Sequence, residues 1–207
     1  MAKHRIAIFG AGDMGGALTE ALAKRTKHVV GVRGSQAGST SAQVLVESLG
    51  VQEANDDFVK GCDIVFVVVR AEAIPQVISE LESYQGIVVS VSVSPFVGRD
   101  GQMSTAELLA DALPEARVVN AFTSIWSTVV RDPGDGEMTS AFVCSDHDEE
   151  KGVISKLAEE IGFEAINGGN LSVALYAESL GVFAVRLALD SGYGQTISFR
   201  AFRAADF

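Results

Sequence analysis

Basic clusters, metal-binding clusters and disulfide frameworks are all missing from this 207-residue sequence. Its two cysteines, Cys62 and Cys144, lack the spacing of a metal site or of a disulfide framework, so we expect two small buried side chains in a reducing compartment. The formal net charge is −11 at pH 7 and no basic cluster occurs, which argues against nucleic acid as a partner. We expect no bound metal either.

Long apolar runs are also scarce. The apolar segment at the start of the chain is too short for a signal peptide and is used by a predicted strand. The longest other stretch, 86–97, falls well short of a membrane span. We therefore expect a cytoplasmic protein without a membrane-spanning segment. Hydrophobic residues nevertheless make up 47% of the chain, which is enough for the core of a single compact unit over residues 1–207.

Candidates for general acid–base catalysis are few. His4 and His28 precede predicted strands, His147 lies at the start of an acidic helix, and no lysine follows Lys156. A dehydrogenase that acts on an alcohol or a ketone needs a proton donor or acceptor near the reacting carbon. Hydride transfer between two redox cofactors depends mainly on proximity and stacking. The sequence favours the second kind of reaction and identifies no general acid or base.

The chain is organised around a G-x-G-x-x-G motif that lies between a predicted strand and a predicted helix. Gly10 permits a tight turn, Gly12 lets the backbone approach a pyrophosphate, and Gly15 allows the helix and the strand to pack closely. The free N–H groups at the start of the helix would face the phosphates. The predicted dinucleotide-binding residues of this turn are Gly10, Ala11, Gly12, Asp13, Met14 and Gly15.

The residues that follow the second predicted strand indicate which dinucleotide binds. NAD enzymes usually place Asp or Glu here to bind the ribose 2′-hydroxyl, whereas Arg and hydroxyl groups suit a 2′-phosphate. This chain has Arg33, Gly34 and Ser35, and no acidic residue between Val29 and Leu45. We therefore predict NADP, with Arg33 as the phosphate clamp, Gly34 keeping the loop open and Ser35 assisting. The alternative is that Arg33 is a solvated surface residue.

Strands and helices alternate up to residue 120, which predicts a Rossmann-type α/β fold with a doubly wound, mainly parallel sheet over residues 1–120. The fourth strand ends at the ligand edge of such a sheet, so Val69 and Arg70 are predicted to contact the cofactor. Arg70 has two alternatives, contact with an acidic substrate or an ion pair with Glu72. The predicted strands are 5–9, 27–32, 51–54, 63–69, 87–93, 117–120, 139–144 and 163–167.

Residues 121–207 are predicted to form a C-terminal α/β extension that walls a second ligand. Hydroxyl and apolar side chains, with the only tryptophan of the chain, directly follow the sixth strand, and such a surface suits a flat aromatic ligand. The alternative is a buried loop whose hydroxyl groups cap the next short helix. The last helix, 171–191, is apolar almost all round and must be buried, under the sheet or against a second subunit. The predicted substrate-binding residues are Thr123, Ser124, Ile125 and Trp126.

The sequence resembles the deazaflavin-dependent NADP reductases, also called coenzyme F420:NADP oxidoreductases, over nearly its whole length. The resemblance rests on GAGDMG at 10–15, VGVRG through Arg33, ARVVNAF at 116–122, GGNLS…ESL at 168–180 and GYGQTISFR at 192–200. It implies direct hydride transfer between carbon 4 of NADP and carbon 5 of coenzyme F420, a deazaflavin, in a homodimer whose C-terminal helices pack together. It also implies that the 2′-phosphate binds near Arg33 and the deazaflavin ring near Thr123 and Trp126, the candidate catalytic contacts.

Three positions depart from the family pattern. Thr123 stands where relatives have His or Asn, Trp126 replaces a small residue or Pro, and Arg70 replaces Pro. All three would line the side of the second substrate. Two other functions therefore stay open: an NADPH-dependent reductase of a small organic substrate such as an imine, and a non-catalytic NADP-responsive binding or regulatory protein.

Overall fold

The computed structural model describes residues 3–34, 38–95, 97, 101–134 and 138–202. Its strands are β1 Arg5–Phe9, β2 Val29–Arg33, β3 Gln52–Glu53, β4 Ile64–Val67, β5 Ile87–Ser90, β6 Arg117–Asn120, β7 Ser140–Cys144 and β8 Glu164–Gly169. They form one sheet in the order β3-β2-β1-β4-β5-β6-β7-β8. The first six pair in parallel, β7 is antiparallel to β6, and β8 is parallel to β7. The predicted doubly wound, mainly parallel sheet is confirmed.

The helices within the described residues are α1 Asp13–Arg25, α2 Thr40–Leu49, α3 Asp56–Lys60, α4 Ile74–Glu80, α5 Thr105–Ala112, α6 Ser127–Arg131, α7 Asp148–Glu160 and α8 Ala174–Leu189. Local sequence determines several of their ends. The Asn55 side chain accepts a hydrogen bond from the Phe58 N–H at the start of α3, and Ser104 and Glu107 form a capping box at the start of α5. Helix α4 ends at Glu80, and the Leu81 N–H bonds two carbonyl groups in a tightened last turn.

The sheet has a hydrophobic core on each face. Alternate residues of every central strand point to opposite faces, so that Ile6 and Ile8 of β1 lie in one core and Ala7 and Phe9 in the other. Helices α1, α2, α6 and α7 cover the first face, and α3, α4, α5 and the start of α8 cover the second. Because both faces are buried, the central strands carry near-continuous apolar sequences and not alternating ones.

Helix α8 is buried on one side only within this chain, and the predicted burial of its other side against a second subunit stays a prediction. Its outer face leaves Tyr176, Phe183 and Leu189 between 52% and 68% exposed. Apart from the buried Glu178, side-chain size and not polarity therefore distinguishes the two faces. The inner face consists mainly of small residues three or four apart, which let the helix lie close to α5 and to the Thr123 backbone: Ala174, Ala177, Gly181, Ala184 and Ala188.

The segment Leu171–Leu189 is also long and apolar enough to cross a membrane, and 39% of it is buried within the protein. It therefore replaces 86–97 as the longest apolar segment after the start of the chain. Its small-residue face packs against α5 and the Thr123 backbone, and a single helix of this kind is weak evidence for a membrane span. The absence of a membrane-spanning segment stays a prediction.

A buried carboxylate joins α8 to α5. Glu178 is fully buried, and its carboxylate oxygens accept hydrogen bonds from the N–H groups of Thr105 and Ala106 at 3.0 and 3.2 Å. These two residues are the first of α5, and N–H groups at a helix start have no partner within the helix. Burial raises the pKa of Glu178 to about 7, although the two backbone hydrogen bonds act in the opposite direction.

The substitution Glu178→Gln should remove one pH dependence from the free energy of unfolding. The carboxyl group titrates near pH 4.5 when unfolded and near pH 7 when folded, so the stability it contributes is complete below pH 4.5 and is lost as the pH rises to 7. The variant should therefore gain stability relative to the wild type as the pH rises through this range. Urea unfolding at several pH values measures this difference, with the exposed Glu159→Gln as control. A difference that does not change with pH would contradict the assignment.

Candidate functional site

The glycine-rich turn between β1 and α1 is held by contacts that exclude any side chain. Gly10 has a φ of 120°, and a Cβ there would lie 2.1 Å from the Val68 carbonyl oxygen. A Cβ on Gly15 would lie 1.8 Å from the carbonyl oxygen of Gly10, so the helix rests directly on the turn. A Cβ on Gly12 would meet no atom within 4 Å. The structure thus confirms the tight turn and the close packing, and it leaves open space where the sequence predicts a pyrophosphate.

A cleft of about 390 Å³ lies beside this turn at the carboxyl edge of the sheet. The residues that line it as predicted are Gly10, Ala11, Gly12, Arg33, Gly34, Val69 and Arg70. The residues that sequence reasoning missed are Phe9, Ser41, Val68, Ala73, Gln76, Val77 and Glu80. Four of the missed residues come from α4 and the 3₁₀ turn before it. The order of the strands could have indicated them, since β4 lies beside β1.

Three other predicted cofactor residues do not line the cleft in the described structure. Met14 packs against the core, and Gly15 is buried under the turn. Asp13 is the exposed first residue of α1, and its carbonyl oxygen accepts a hydrogen bond from the Arg131 guanidinium at 3.1 Å. Ser35 lies outside the described residues. Gly15 therefore shapes the turn, while contact between Ser35 and a ligand stays a prediction.

Arg33 lies at the end of β2, where the guanidinium is held by three groups. The guanidinium carbon of Arg33 lies 5.1 Å from the centre of the Phe9 ring. One guanidinium nitrogen, Nη1, lies 3.0 Å from a carboxylate oxygen of Asp56, and the other, Nη2, lies 3.4 Å from a carboxylate oxygen of Glu80. The side chain is only 21% exposed, so the alternative of a freely solvated arginine is wrong. The sequence near Arg33 contains no acidic residue, but the fold brings two carboxylates to it from α3 and α4.

Arg70 follows β4 and is exposed at the mouth of the cleft. Among the residues that the structure describes, no carboxylate forms an ion pair with it, so the alternative of a local pair with Glu72 is wrong. An exposed guanidinium at this edge is available to an anionic group of a ligand.

The segment after β6 begins with a left-handed residue. Phe122 has a φ of 62°, and its ring packs between Phe66 and Phe163 with ring centres 6.2 and 6.0 Å apart. Such a backbone costs on the order of 1–3 kcal/mol in a residue other than glycine and is found most often at functional sites. The aromatic packing of Phe122 compensates for this cost and fixes the direction in which the chain leaves the sheet.

The predicted substrate residues follow at once, and most of their surface is buried. Thr123, Ser124 and Ile125 are between 4% and 9% exposed, and Trp126 is half-buried. The indole N–H of Trp126 is buried and has no hydrogen-bond partner in the described structure. The burial of this segment agrees with the alternative of a buried loop, but helix α6 begins after Trp126 without a side-chain cap, so the predicted capping by hydroxyl groups is wrong. In the described structure the buried side-chain amide of the neighbouring Asn120 lacks partners as well.

Two other parts of the chain hold this segment in place. A Cβ on Gly181 of α8 would lie 2.2 Å from the Thr123 carbonyl oxygen, so the helix touches the segment backbone to backbone. The Thr128 hydroxyl donates to the Gln195 carbonyl, and the Ser140 N–H donates to the Phe199 carbonyl at 2.9 Å. The C-terminal residues therefore return to the predicted second-ligand wall.

The ionisable side chains of the cleft lining are Arg33, Arg70 and Glu80. His4 and His28 lie at the opposite edge of the sheet, where Nε2 of His28 is 3.2 Å from Glu160 and burial lowers the pKa of His28. No group of three His, Cys, Asp or Glu side chains within the described ranges could hold a metal. The arrangement suits the binding of an anionic nucleotide, and the described residues that line the cleft include no histidine or lysine for proton transfer. The predicted substrate residues, 123–126, do not line this cleft.

Comparison with known proteins finds a family model and a relative that match this chain, and solved structures that share its fold. A family model for coenzyme F420-dependent NADP oxidoreductase matches residues 5–94, from β1 to just past β5. An F420-dependent NADP reductase from Methanocaldococcus jannaschii is 31% identical over 198 residues, which cover 85% of this chain and 88% of the relative. This second match extends into the C-terminal extension.

Two solved structures share the fold at low identity. One, from Arthrobacter sp. FB24 and provisionally assigned as an F420-dependent NADP reductase, has a TM-score of 0.79 at 22% identity over 97% of this chain and 100% of its own. A reductive aminase from Aspergillus terreus in complex with NADPH and ethyl-5-oxohexanoate has a TM-score of 0.67 at 15% identity, over 92% of this chain and 64% of its own. At these identities both show the fold alone.

Two glycine-to-alanine substitutions in helices should have opposite effects. Gly181→Ala places a methyl group against the Thr123 carbonyl and should lower the free energy of unfolding by about 1–3 kcal/mol. Gly152→Ala in α7, where a Cβ meets nothing within 4 Å, should raise it by about 0.5–1 kcal/mol. Denaturant unfolding of both variants tests this, and a stabilised Gly181→Ala variant would show that α8 does not rest on the segment after β6.

Proposed function

Because the chain belongs to the family of coenzyme F420-dependent NADP reductases and is an NADP-dependent oxidoreductase, we propose that it transfers hydride between NADP(H) and a deazaflavin, coenzyme F420. The observation that carries the proposal is the cleft itself. It joins the glycine turn and Arg33 to apolar residues at the end of β4 and in α4, and the described residues that line it include no histidine or lysine. Such a site can hold two redox partners together without a protein acid or base.

The residues present fit NADP. The open space above Gly12 and the N–H groups at the start of α1 suit a pyrophosphate, because backbone donors and the helix dipole both favour an anion there. Arg33, with Gly34 beside it, would bind the 2′-phosphate of the adenosine ribose. Ser35 is proposed to assist. Arg70 is proposed to bind either a phosphate of the coenzyme or an acidic group of the second substrate.

We propose that a flat aromatic partner binds at a second wall. Thr123, Ser124, Ile125 and Trp126 are proposed to form it, although none of them is among the residues that line the cleft beside the glycine turn. The indole N–H of Trp126 is buried and unpartnered, so a ligand acceptor would bind it only after the side chain moves. The left-handed turn at Phe122 and the contact with Gly181 fix the backbone of this segment.

When both are bound, NADPH supplies a hydride, two electrons and one hydrogen, from nicotinamide carbon 4 to deazaflavin carbon 5, and one proton from water completes the reduced deazaflavin. The protein is proposed to supply proximity and orientation. Effective molarities reached by such positioning account for roughly 7–11 kcal/mol of barrier lowering in favourable cases.

The reaction is tested by mixing the protein with NADPH and oxidised F420 and following the deazaflavin absorbance, which should fall. Trp126→Ala should raise the KM for F420 more than the KM for NADPH, because the indole faces the second substrate. Phe202→Ala, which truncates an aromatic side chain that is 80% exposed, is the control.

Turnover with cyclic imines but not with F420 would favour the small-molecule reductase. NADPH binding without oxidation by any acceptor would favour the regulatory protein.

We also propose that the protein is a homodimer in which the outer faces of two α8 helices pack together. The outer face of this helix exposes the large apolar side chains Tyr176, Phe183 and Leu189, and exposed apolar side chains of this kind mark candidate interfaces between subunits. Phe183→Lys should therefore yield monomers, because it places a charge in the interface. Sedimentation velocity measures the change, with Leu108→Lys, at a 45% exposed apolar residue of α5, as control. A wild-type protein that sediments as a monomer would contradict the proposal.

A further inference from the structure

The carboxylates around Arg33 bear directly on the choice of coenzyme. Asp56 and Glu80 both pair with its guanidinium, at 3.0 and 3.4 Å. One positive and two negative charges give this group a net charge of −1. A ribose 2′-phosphate carries a charge of about −1.5 to −2 at neutral pH, so the group as it stands repels the ligand that Arg33 is expected to bind.

The two carboxylates differ in their freedom to move away. The side chain of Asp56 is 78% exposed and can turn into solvent, whereas that of Glu80 is 25% exposed and forms part of the cleft wall. Glu80 therefore stays close to the ribose site whichever coenzyme binds. Arg33 does not need Glu80 to stay in place, because Phe9 and Asp56 also hold it.

We propose that Glu80 is a coenzyme-selecting residue, which competes with the 2′-phosphate for Arg33 and accepts a hydrogen bond from the free 2′-hydroxyl of NADH. The inference rests on the proposed function in assigning this end of the cleft to the adenosine ribose. A carboxylate that accepts from the 2′-hydroxyl is the usual means by which NAD enzymes recognise their coenzyme. Here the carboxylate comes from α4 and not from the end of β2. The protein accordingly discriminates against NADH less strongly than Arg33 alone would allow.

The test compares Glu80→Gln with the wild type by calorimetric binding of 2′,5′-ADP and 5′-AMP, which carry the adenosine end of NADPH and NADH. In Glu80→Gln, the dissociation constant of 5′-AMP divided by that of 2′,5′-ADP should rise about tenfold. The rise should come from tighter binding of 2′,5′-ADP and weaker binding of 5′-AMP. Arg33→Ala should shift the ratio the opposite way. Glu82→Gln, which removes the same charge from an exposed residue just beyond α4, is the matched control.

A ratio within twofold of the wild type in both Glu80→Gln and Glu80→Ala would overturn the proposal, as would weaker 2′,5′-ADP binding in both variants, since Glu80 would then only support Arg33. An equal shift in Glu82→Gln would also overturn it, because the effect would be one of overall charge. These measurements need no deazaflavin. If the ratio shifts as predicted but the protein does not reduce F420, the inference stands and the proposed function is wrong. If the protein reduces F420 but the ratio is unchanged, the proposed function stands and the inference is wrong.

Discussion

The close approach of α1 to the first turn of the sheet is the contact on which the rest of the site depends. The helix backbone at Gly15 rests on the Gly10 carbonyl, and Gly10 in turn lies against the Val68 carbonyl at the end of the neighbouring strand. Three backbone segments meet with no side chain between them. The start of α1 therefore points towards the space over Gly12, and the end of β4 forms the opposite wall of the same cleft.

Charge is placed at the cleft by the fold and not by the local sequence. The sheet interior is apolar on both faces, so ionisable groups gather where strands end. Arg33 leaves β2 beside helices α3 and α4, each of which contributes a carboxylate, whereas Arg70 leaves β4 without an acidic partner in the described structure. Two arginines that look alike in the sequence therefore have different electrostatic surroundings. One is already partly neutralised, and the other is free to meet an anion.

The sequence was sufficient for features that depend on neighbouring residues. The G-x-G-x-x-G turn and the caps at Asn55 and Ser104 follow local rules, because glycine geometry and capping act over three to five residues. All eight predicted strands occur, with ends up to three residues from the predicted ones. It was insufficient where distant segments meet. The carboxylates at Arg33, the Glu178 cap of α5 and the one-sided burial of α8 each join residues more than twenty positions apart or depend on side-chain size. Rules based on local sequence patterns do not describe contacts between distant residues.

The C-terminal half shows how a second wall is built on a nucleotide-binding sheet. Strand β7 runs antiparallel to β6, so the chain does not continue the β-α repeat but turns back across the ligand edge. Phe122 sets the direction of that turn through its left-handed backbone, and the absence of a side chain at Gly181 lets α8 close over it. Glu178 then ties α8 to the start of α5, one turn of helix away from Gly181. A single helix thus joins the sheet, the second wall and an exposed apolar face, so a partner packed on that outer face would stiffen the wall as well.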